Sequence, residues 1–305
     1  MKKILITGSN GLLGQKIVYN LLERENYKIK IIASARGENR LKEKNGYEFV
    51  SLDITDKESV NRVFDVYKPN VVVNTAAMTN VDQCESEREA CWELNVNAVK
   101  YLAKASETIG AHLIQLSTDF VFDGENGPYS EGDEPNPLHY YAESKLASER
   151  VLQEYDIQWS IARTIIIYGI VDDMSRSNLV LWAKSSIENK QTINVVNDQY
   201  RSPTLAEDLA EGCIMIAEKE AQGIFHLSGP ETHCILDLVY MVADHYNLDK
   251  TFIKPITSAS LNQAAKRPPK TGFVIDKAKS ILGFNPVGFR EGIKILEQQI
   301  NDKAK

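Results

Sequence analysis

Gly8-Ser9-Asn10-Gly11-Leu12-Leu13-Gly14 follows at once on Lys3-Ile4-Leu5-Ile6-Thr7 and leads straight into an amphipathic stretch, Gln15 to Glu25. Few features constrain a fold as tightly. A strand from Lys3 to Thr7, a glycine turn and a helix in direct succession put a helix N-terminus where a pyrophosphate can accept backbone N–H bonds. The helix dipole favours negative charge at the same place. The spacing is Gly-x-x-Gly-x-x-Gly, which differs from the Gly-x-Gly-x-x-Gly fingerprint. In that fingerprint the glycines permit a tight turn, close approach of phosphate and close helix packing. The context of the turn predicts dinucleotide binding by Gly8, Asn10, Gly11, Leu12 and Gly14.

The chain continues in alternating units. A second strand, Ile29 to Ala33, ends in Ser34-Ala35-Arg36-Gly37, with Arg40 and Lys42 just beyond. An NAD-selective site usually carries an acidic residue here for the ribose 2′-hydroxyl, whereas a 2′-phosphate suits small hydroxyls and an arginine. Ser34 and Arg36 therefore predict NADPH, with NADH as the second option. Phe49 to Ile54 reads as a third strand running into Asp53 and Ile54, where the carboxylate can accept a bond from an adenine amino group. Thr55-Asp56-Lys57-Glu58 has the form of a capping box opening a helix through Tyr67. Val71 to Val73 is a buried fourth strand, and Ala76 and Ala77 after it are small enough for a cofactor to lie beside them. A long helical pattern, Glu87 to Ile109, contains Asn95, a weaker cofactor candidate. Such alternation predicts an α/β fold, a Rossmann-type doubly wound parallel sheet with ligands at the carboxyl ends of its strands.

Gly11, Ala76, Thr118 and the loop before Tyr141 would all meet at that edge. Thr118 ends the apolar run that starts at His112, and Tyr141 and Lys145 stand four residues apart, on one face of a helix. A phenol titrates near ~10 and is a poor acid–base group at neutral pH, but a neighbouring ammonium favours phenolate. With a strand-end hydroxyl on the same substrate oxygen, the three residues would polarise a carbonyl for hydride attack. Tyr-x-x-x-Lys also occurs by chance in many helices, where the lysine reaches into water. The N-terminal unit is what gives the pair its chemical meaning.

Composition excludes other classes. The net charge is −7 without a long basic run, so no nucleic-acid partner is expected. No stretch approaches the ~18 apolar residues of a membrane span, and the first apolar run is too short for a signal-peptide core. A cytoplasmic protein with no membrane partner is the expectation. Cys84, Cys91, Cys213 and Cys234 lack Cys-x-x-Cys spacing and clustered histidines, which predicts buried free thiols and no metal site.

The glycine turn, Asp53, Asn74-Thr75-Ala76-Ala77, Thr118 and the Tyr141/Lys145 pair together resemble the extended short-chain dehydrogenase/reductases. Within them, Leu116-Ser117-Thr118-Asp119-Phe120-Val121-Phe122-Asp123-Gly124, Pro128-Tyr129-Ser130-Glu131, Tyr141 to Lys145 and Glu149 resemble the dTDP-4-dehydrorhamnose reductase branch. Arg163-Thr164, Val196 to Thr204, Phe225 to Gly229 and Arg267-Pro268 agree with it. The resemblance covers nearly the whole chain and implies reduction of the C4 ketone of a nucleotide-linked 6-deoxy-4-ketohexose, most simply dTDP-4-dehydrorhamnose. Tyr141 would protonate the alkoxide, Lys145 would lower the phenol's pKa and bind the nicotinamide ribose, and Thr118 would orient the carbonyl. Asp119 would accept a sugar hydroxyl. Phe120 stands where the family has tyrosine, and Ile165 to Tyr168 replaces an aromatic that packs on the sugar, which leaves the particular sugar open. The same branch resembles the regulatory subunit of methionine adenosyltransferase, a dinucleotide-fold protein that serves a partner. Epimerases share the fold too, while dehydratases carry an Asp-Glu pair where this chain has Asp119-Phe120.

The expected division is a cofactor domain of residues 1–164 plus about 205–228, and a substrate lobe of about 165–204 plus 229–305. Arg201 and Arg267 are the candidates for a substrate diphosphate, because guanidinium forks suit phosphate oxygens. Asn178 is a weaker substrate candidate, and a homodimer is an assembly open to such a chain.

Overall fold

The computed structural model describes residues 1–24, 29–173 and 177–303. The expected helix end at Glu25, Met174 to Arg176 of the polar loop and the last two residues of the tail lie outside them.

Six strands and the segment Gly223–His226 form one parallel sheet: β1 (Lys2–Thr7), β2 (Ile29–Ala35), β3 (Glu48–Ser51), β4 (Val71–Asn74), β5 (His112–Thr118) and β6 (Trp159–Thr164). Their order across the sheet is Gly223–His226, β6, β5, β4, β1, β2, β3. The apolar runs dictate this. Ile4 and Ile6 point into one buried cluster with Leu13, Ile17 and Leu209, while Leu5 between them points into a second with Val72, Phe64 and Leu102. A strand covered on both faces must be apolar at every position, as Val71-Val72-Val73 is.

Helices α1 (Leu12–Leu22), α2 (Lys57–Tyr67), α3 (Val81–Ser86), α4 (Arg88–Trp92), α5 (Ala98–Ile109), α6 (Tyr140–Gln153), α7 (Leu179–Glu188) and α8 (Ala206–Lys219) follow in chain order. A third apolar cluster joins Tyr168, Val180 and Ile187 to Leu238, Val242, Phe289 and Leu296. It is braced by short strand pairs, Ile193–Val196 with Ile253–Ile256 and Tyr200–Arg201 with His233–Cys234. The strand order reverses direction between β1 and β4, which opens a crevice at their carboxyl ends.

Two local expectations are revised. Asp56, not Thr55, caps α2, accepting from Glu58 N at 3.0 Å, because Thr55 instead donates its hydroxyl to Asp53 at 2.7 Å. The long helical run is interrupted by a π turn at Glu93–Asn97 between α4 and α5. Such turns recur at functional sites, and here the turn buries Asn95.

Candidate active site

A cleft of about 760 Å³ occupies that crevice, within the range of small-molecule sites. The glycine turn forms one wall. Gly8 sits at φ +69°, and a Cβ there would stand 2.7 Å from Thr75 Oγ1 and 2.8 Å from Ala76 N. Gly11 is the extended N-cap of α1 and has no side chain to cap it, so first-turn N–H groups are left for a ligand. Gly14 acts differently from the expectation. Its missing Cβ would lie 2.4 Å from Gly8 O, so this glycine lets α1 pack on the turn and does not line the cleft. Asn10 ties the turn to the loop after β2, donating to Glu38 O at 2.8 Å and accepting from Arg40 N at 3.0 Å.

Beyond the turn, Ala35, Arg36, Arg40, Asp53 and Ile54 line the cleft. Thr55 N and Oγ1 both donate to Asp53 Oδ1, which fixes the carboxylate, and Arg36 Nη1 lies 3.8 Å from its other oxygen. Arg36 is 84% exposed and able to swing onto a phosphate. Ser34 is a correction: its side chain is fully buried beneath the turn, its hydroxyl has no partner, and it does not reach the cleft. Arg40 lines the cleft where Ser34 was expected to, and the cluster of basic residues after β2 was its signal in the sequence.

Ala76 and Ala77 line the floor as expected, but Asn95 does not. Its amide bonds both backbone groups of Met78, accepting at 2.8 Å and donating at 3.1 Å, and donates to Ser144 Oγ at 3.0 Å. Asn95 therefore fixes the segment after Ala77 against α6, and any influence on a cofactor is indirect.

Thr118, Tyr141 and Lys145 come together opposite the turn. His139 caps α6, its Nδ1 accepting from Ala142 N at 3.2 Å, and burial lowers its pKa to about 4, so it stays neutral in that role. The electrostatics depart from the expected lysine-to-tyrosine tuning. Burial and then the Asp119 carboxylate push the Tyr141 phenol above its usual range, with the Thr118 hydroxyl working the other way; these outweigh Lys145. Burial brings Lys145 down to about 8 against the pull of Glu149. Tyr141 is thus held as a neutral phenol, able to give a proton.

The substrate candidates fare unevenly. Phe120 lines the cleft, its ring edge-on to Tyr141 at 6.5 Å. Asn178 lines it too, but its side chain is spent capping α7 and donating to Gly169 O at 2.7 Å. Arg201 is a correction: it is 1% exposed and donates to the carbonyls of Tyr200, Pro268 and Pro269, so no fork is presented to a diphosphate. Arg267 is another, chelated by Asp82 at 2.6 and 2.7 Å and absent from the cleft wall. Asp119 lines the cleft, but its two carboxyl oxygens are already bonded to Thr118 and Thr271. What the sequence reading missed is a tie between α1 and the segment after Val171, beside the cleft. Val171 and Ser177 line the cleft, and between them Asp172 accepts from Tyr19 Oη and from Lys42 N, while its backbone exchanges two bonds with the Gln15 amide at 2.9 and 3.0 Å.

The strand order, the glycine turn at one end of this cleft and the Tyr141/Lys145 helix at the other make the chain an extended short-chain dehydrogenase/reductase in fold. The family model for the RmlD substrate binding domain matches residues 1–301, and the chain belongs to that family. Methionine adenosyltransferase 2 subunit beta of Rattus norvegicus is 34% identical over 96% of this chain and 86% of its own length. A dTDP-4-dehydrorhamnose reductase of Aggregatibacter actinomycetemcomitans is 31% identical over 96% of this chain and 98% of its own. The crystal structure of dTDP-4-dehydrorhamnose reductase from Bacillus anthracis in complex with NADP superposes with a TM-score of 0.84 at 28% identity, covering 98% of this chain and all of the other. Among the described residues no group of three metal-ligating side chains occurs, and no helix is long and apolar enough to cross a membrane.

Proposed function

We propose that the chain is an NADPH-dependent reductase of the C4 ketone of a nucleotide-linked 4-keto-6-deoxyhexose, with dTDP-4-dehydrorhamnose as substrate and dTDP-L-rhamnose as product. The observation that carries the reading is that Thr118, Tyr141 and Lys145 share one cleft with a glycine turn built to take a pyrophosphate. The cofactor, when bound, supplies a hydride to C4. The chain's own residues do the rest. Tyr141, kept protonated by burial, gives its proton to the developing alkoxide, and Lys145, protonated through much of the neutral range, supplies positive charge close by. The uncapped α1 terminus holds the pyrophosphate, Asp53 the adenosine end, and Arg36 with Arg40 the 2′-phosphate that would favour NADPH over NADH. Phe120 in place of an acidic residue after Asp119 argues against dehydration, which needs a carboxylate base.

The similarity to methionine adenosyltransferase 2 subunit beta supports a second reading, in which the chain binds the dinucleotide and serves a partner protein without turnover. Loss of nicotinamide absorbance with purified protein and a panel of nucleotide-linked 4-keto-6-deoxy sugars separates the two. Turnover establishes the reductase and its sugar; tight NADPH binding with no oxidation across the panel removes it.

A further inference from the structure

We propose that Asp119 is a positioning residue whose charge state decides which way the Thr118 hydroxyl donates, and so whether Thr118 can donate to the substrate carbonyl. The proposal rests on the reductase reading and deepens it at a single oxygen atom.

A threonine hydroxyl has one hydrogen and two lone pairs. Thr118 Oγ1 lies 3.0 Å from Asp119 Oδ1 and accepts from Phe120 N at 3.2 Å. An ionised carboxylate only accepts. With Asp119 charged, therefore, the one hydrogen of Thr118 is committed to Oδ1, and a lone pair is all that it offers to the cleft. The Tyr141 phenol lines the same cleft and interacts with Thr118, so a Thr118 lone pair facing the cleft competes with a ligand for the phenol proton. A protonated Asp119 reverses the bond. The carboxyl O–H then donates to Oγ1, both lone pairs are filled, and the Thr118 hydrogen turns to the cleft. Charge develops on the carbonyl oxygen during hydride attack, and only this second arrangement gives that oxygen donors from Thr118 and Tyr141 together.

The surroundings of Asp119 suit a group that changes state. Thr271 Oγ1 donates to Oδ2, and Arg201 Nε lies 3.7 Å from Oδ2. One donor and a neighbouring guanidinium thus serve Oδ2, while Thr118 serves Oδ1. The charged and titratable groups facing the carboxyl are Arg201, on the strand Tyr200–Arg201, and Tyr141, on α6; Arg267 and His139 in turn face Arg201. Burial raises the Asp119 carboxyl above the usual aspartate range, against the opposing pull of Arg201, Thr271 and Thr118. The Tyr200–Arg201 strand and Thr271 both lie in the C-terminal part of the chain, so residues outside the cleft wall also set the direction of a hydrogen at the reacting centre.

Asp119→Asn tests this. Thr271 and Arg201 are donors, so the amide seats its oxygen on their side and turns its NH2 toward Thr118, which fixes the arrangement that a protonated Asp119 makes. Wild-type kcat is expected to fall as pH rises through the Asp119 ionisation, while kcat of Asp119→Asn stays level over that range with KM for the sugar within about twofold. Asp119→Ala leaves Thr118 unoriented and lowers kcat about tenfold, the order of one lost hydrogen bond. A wild-type pH profile in Asp119→Asn, a kcat in Asp119→Asn as low as in Thr118→Ala, or a raised KM with kcat kept would each overturn the proposal; the last would make Asp119 a sugar ligand. Absence of turnover with any 4-keto sugar would remove the reductase reading instead. The hydrogen-bond claim is then read without activity, from the carboxyl carbon resonance of Asp119 in protein carrying side-chain-labelled aspartate, assigned by its loss in Asp119→Asn. That resonance is expected to titrate above the ordinary aspartate range and to shift in Thr118→Val. Titration in the ordinary range, unmoved by Thr118→Val, would overturn it.

Discussion

Arg163 on β6 and Glu149 on α6 meet as a two-pronged pair, Nε to Oε1 at 2.9 Å and Nη2 to Oε2 at 2.7 Å, with each side chain only 2% exposed. Glu149 stands one turn beyond Lys145 on the same helix. The pair therefore bolts the helix that carries Tyr141 and Lys145 to the sheet, and its carboxylate is the charge that does most to keep Lys145 protonated against burial.

Removing one partner of such a pair strands a buried charge. Glu149→Ala is expected to cost about 3–5 kcal/mol in urea unfolding, whereas replacing both residues with apolar side chains of similar volume costs much less. Where the single variant still folds, Lys145 loses the charge that opposes its burial and its pKa falls below about 8. Equal losses in the single and double variants would show that the pair contributes packing alone.

Tyr141→Phe keeps the ring and its edge contact with Phe120 but removes the proton that the mechanism delivers. A loss of about a hundredfold or more in kcat is expected, the usual worth of a positioned acid, with NADPH affinity within about twofold. Turnover retained in this variant would move the proton donor elsewhere, and loss of cofactor binding would make the phenol a binding group.

The chain order of strands and helices, the glycine turn and the cleft-lining Thr118, Tyr141 and Lys145 were legible because each rests on local pattern. Period-two and period-3.6 burial can be read along the chain, and a strand-turn-helix unit is contiguous. The charged residues of the C-terminal half were not legible. Arg201 and Arg267 have the chemistry of diphosphate ligands, yet one is buried under backbone carbonyls and the other is held by Asp82, 185 residues away in the chain. Ser34 likewise belongs to a strand that looks two residues shorter than it is, ending at Ala33 by pattern and at Ala35 in the structure, so Ser34 is buried within the sheet instead of standing at the cofactor. Asn95 needed the π turn, which no hydrophobic period announces.

Gly14 carries the contact between the first helix and the turn. Gly14→Ala would set a Cβ 2.4 Å from Gly8 O and 2.7 Å from Ser9 Cα, both backbone atoms that cannot rotate away. The helix must then back off from the turn. A loss of roughly 1–3 kcal/mol is expected from overpacking, with weakened NADPH binding in calorimetry because the α1 terminus moves with the helix. The same substitution at Gly110, where nothing stands within 4 Å but φ is +68°, is the control: it strains the helix end without touching the cleft.

Acid stability follows from three buried imidazoles. His112, His139 and His226 are nearly inaccessible, and burial lowers them to about 4, about 4 and about 3. His112 shows the cause atom by atom. Ser160 donates its hydroxyl to Ala221 O, so its lone pair accepts from His112 Nε2–H at 2.7 Å, and Nδ1 is left without a partner. A second proton on that ring would be buried beside no acceptor, with Lys2 adding repulsion. In the unfolded chain each imidazole titrates near 6.5, above its folded value, so between those limits the unfolded state binds more protons. Stability is therefore fully present above about 6.5 and lost as pH falls toward about 4, by roughly 3 kcal/mol for a histidine shifted this far. His112→Gln should take about one proton out of the slope of unfolding free energy against pH in that window. A slope left unchanged by the substitution would mean that His112 is already charged in the folded protein, and that Nδ1 has found an acceptor.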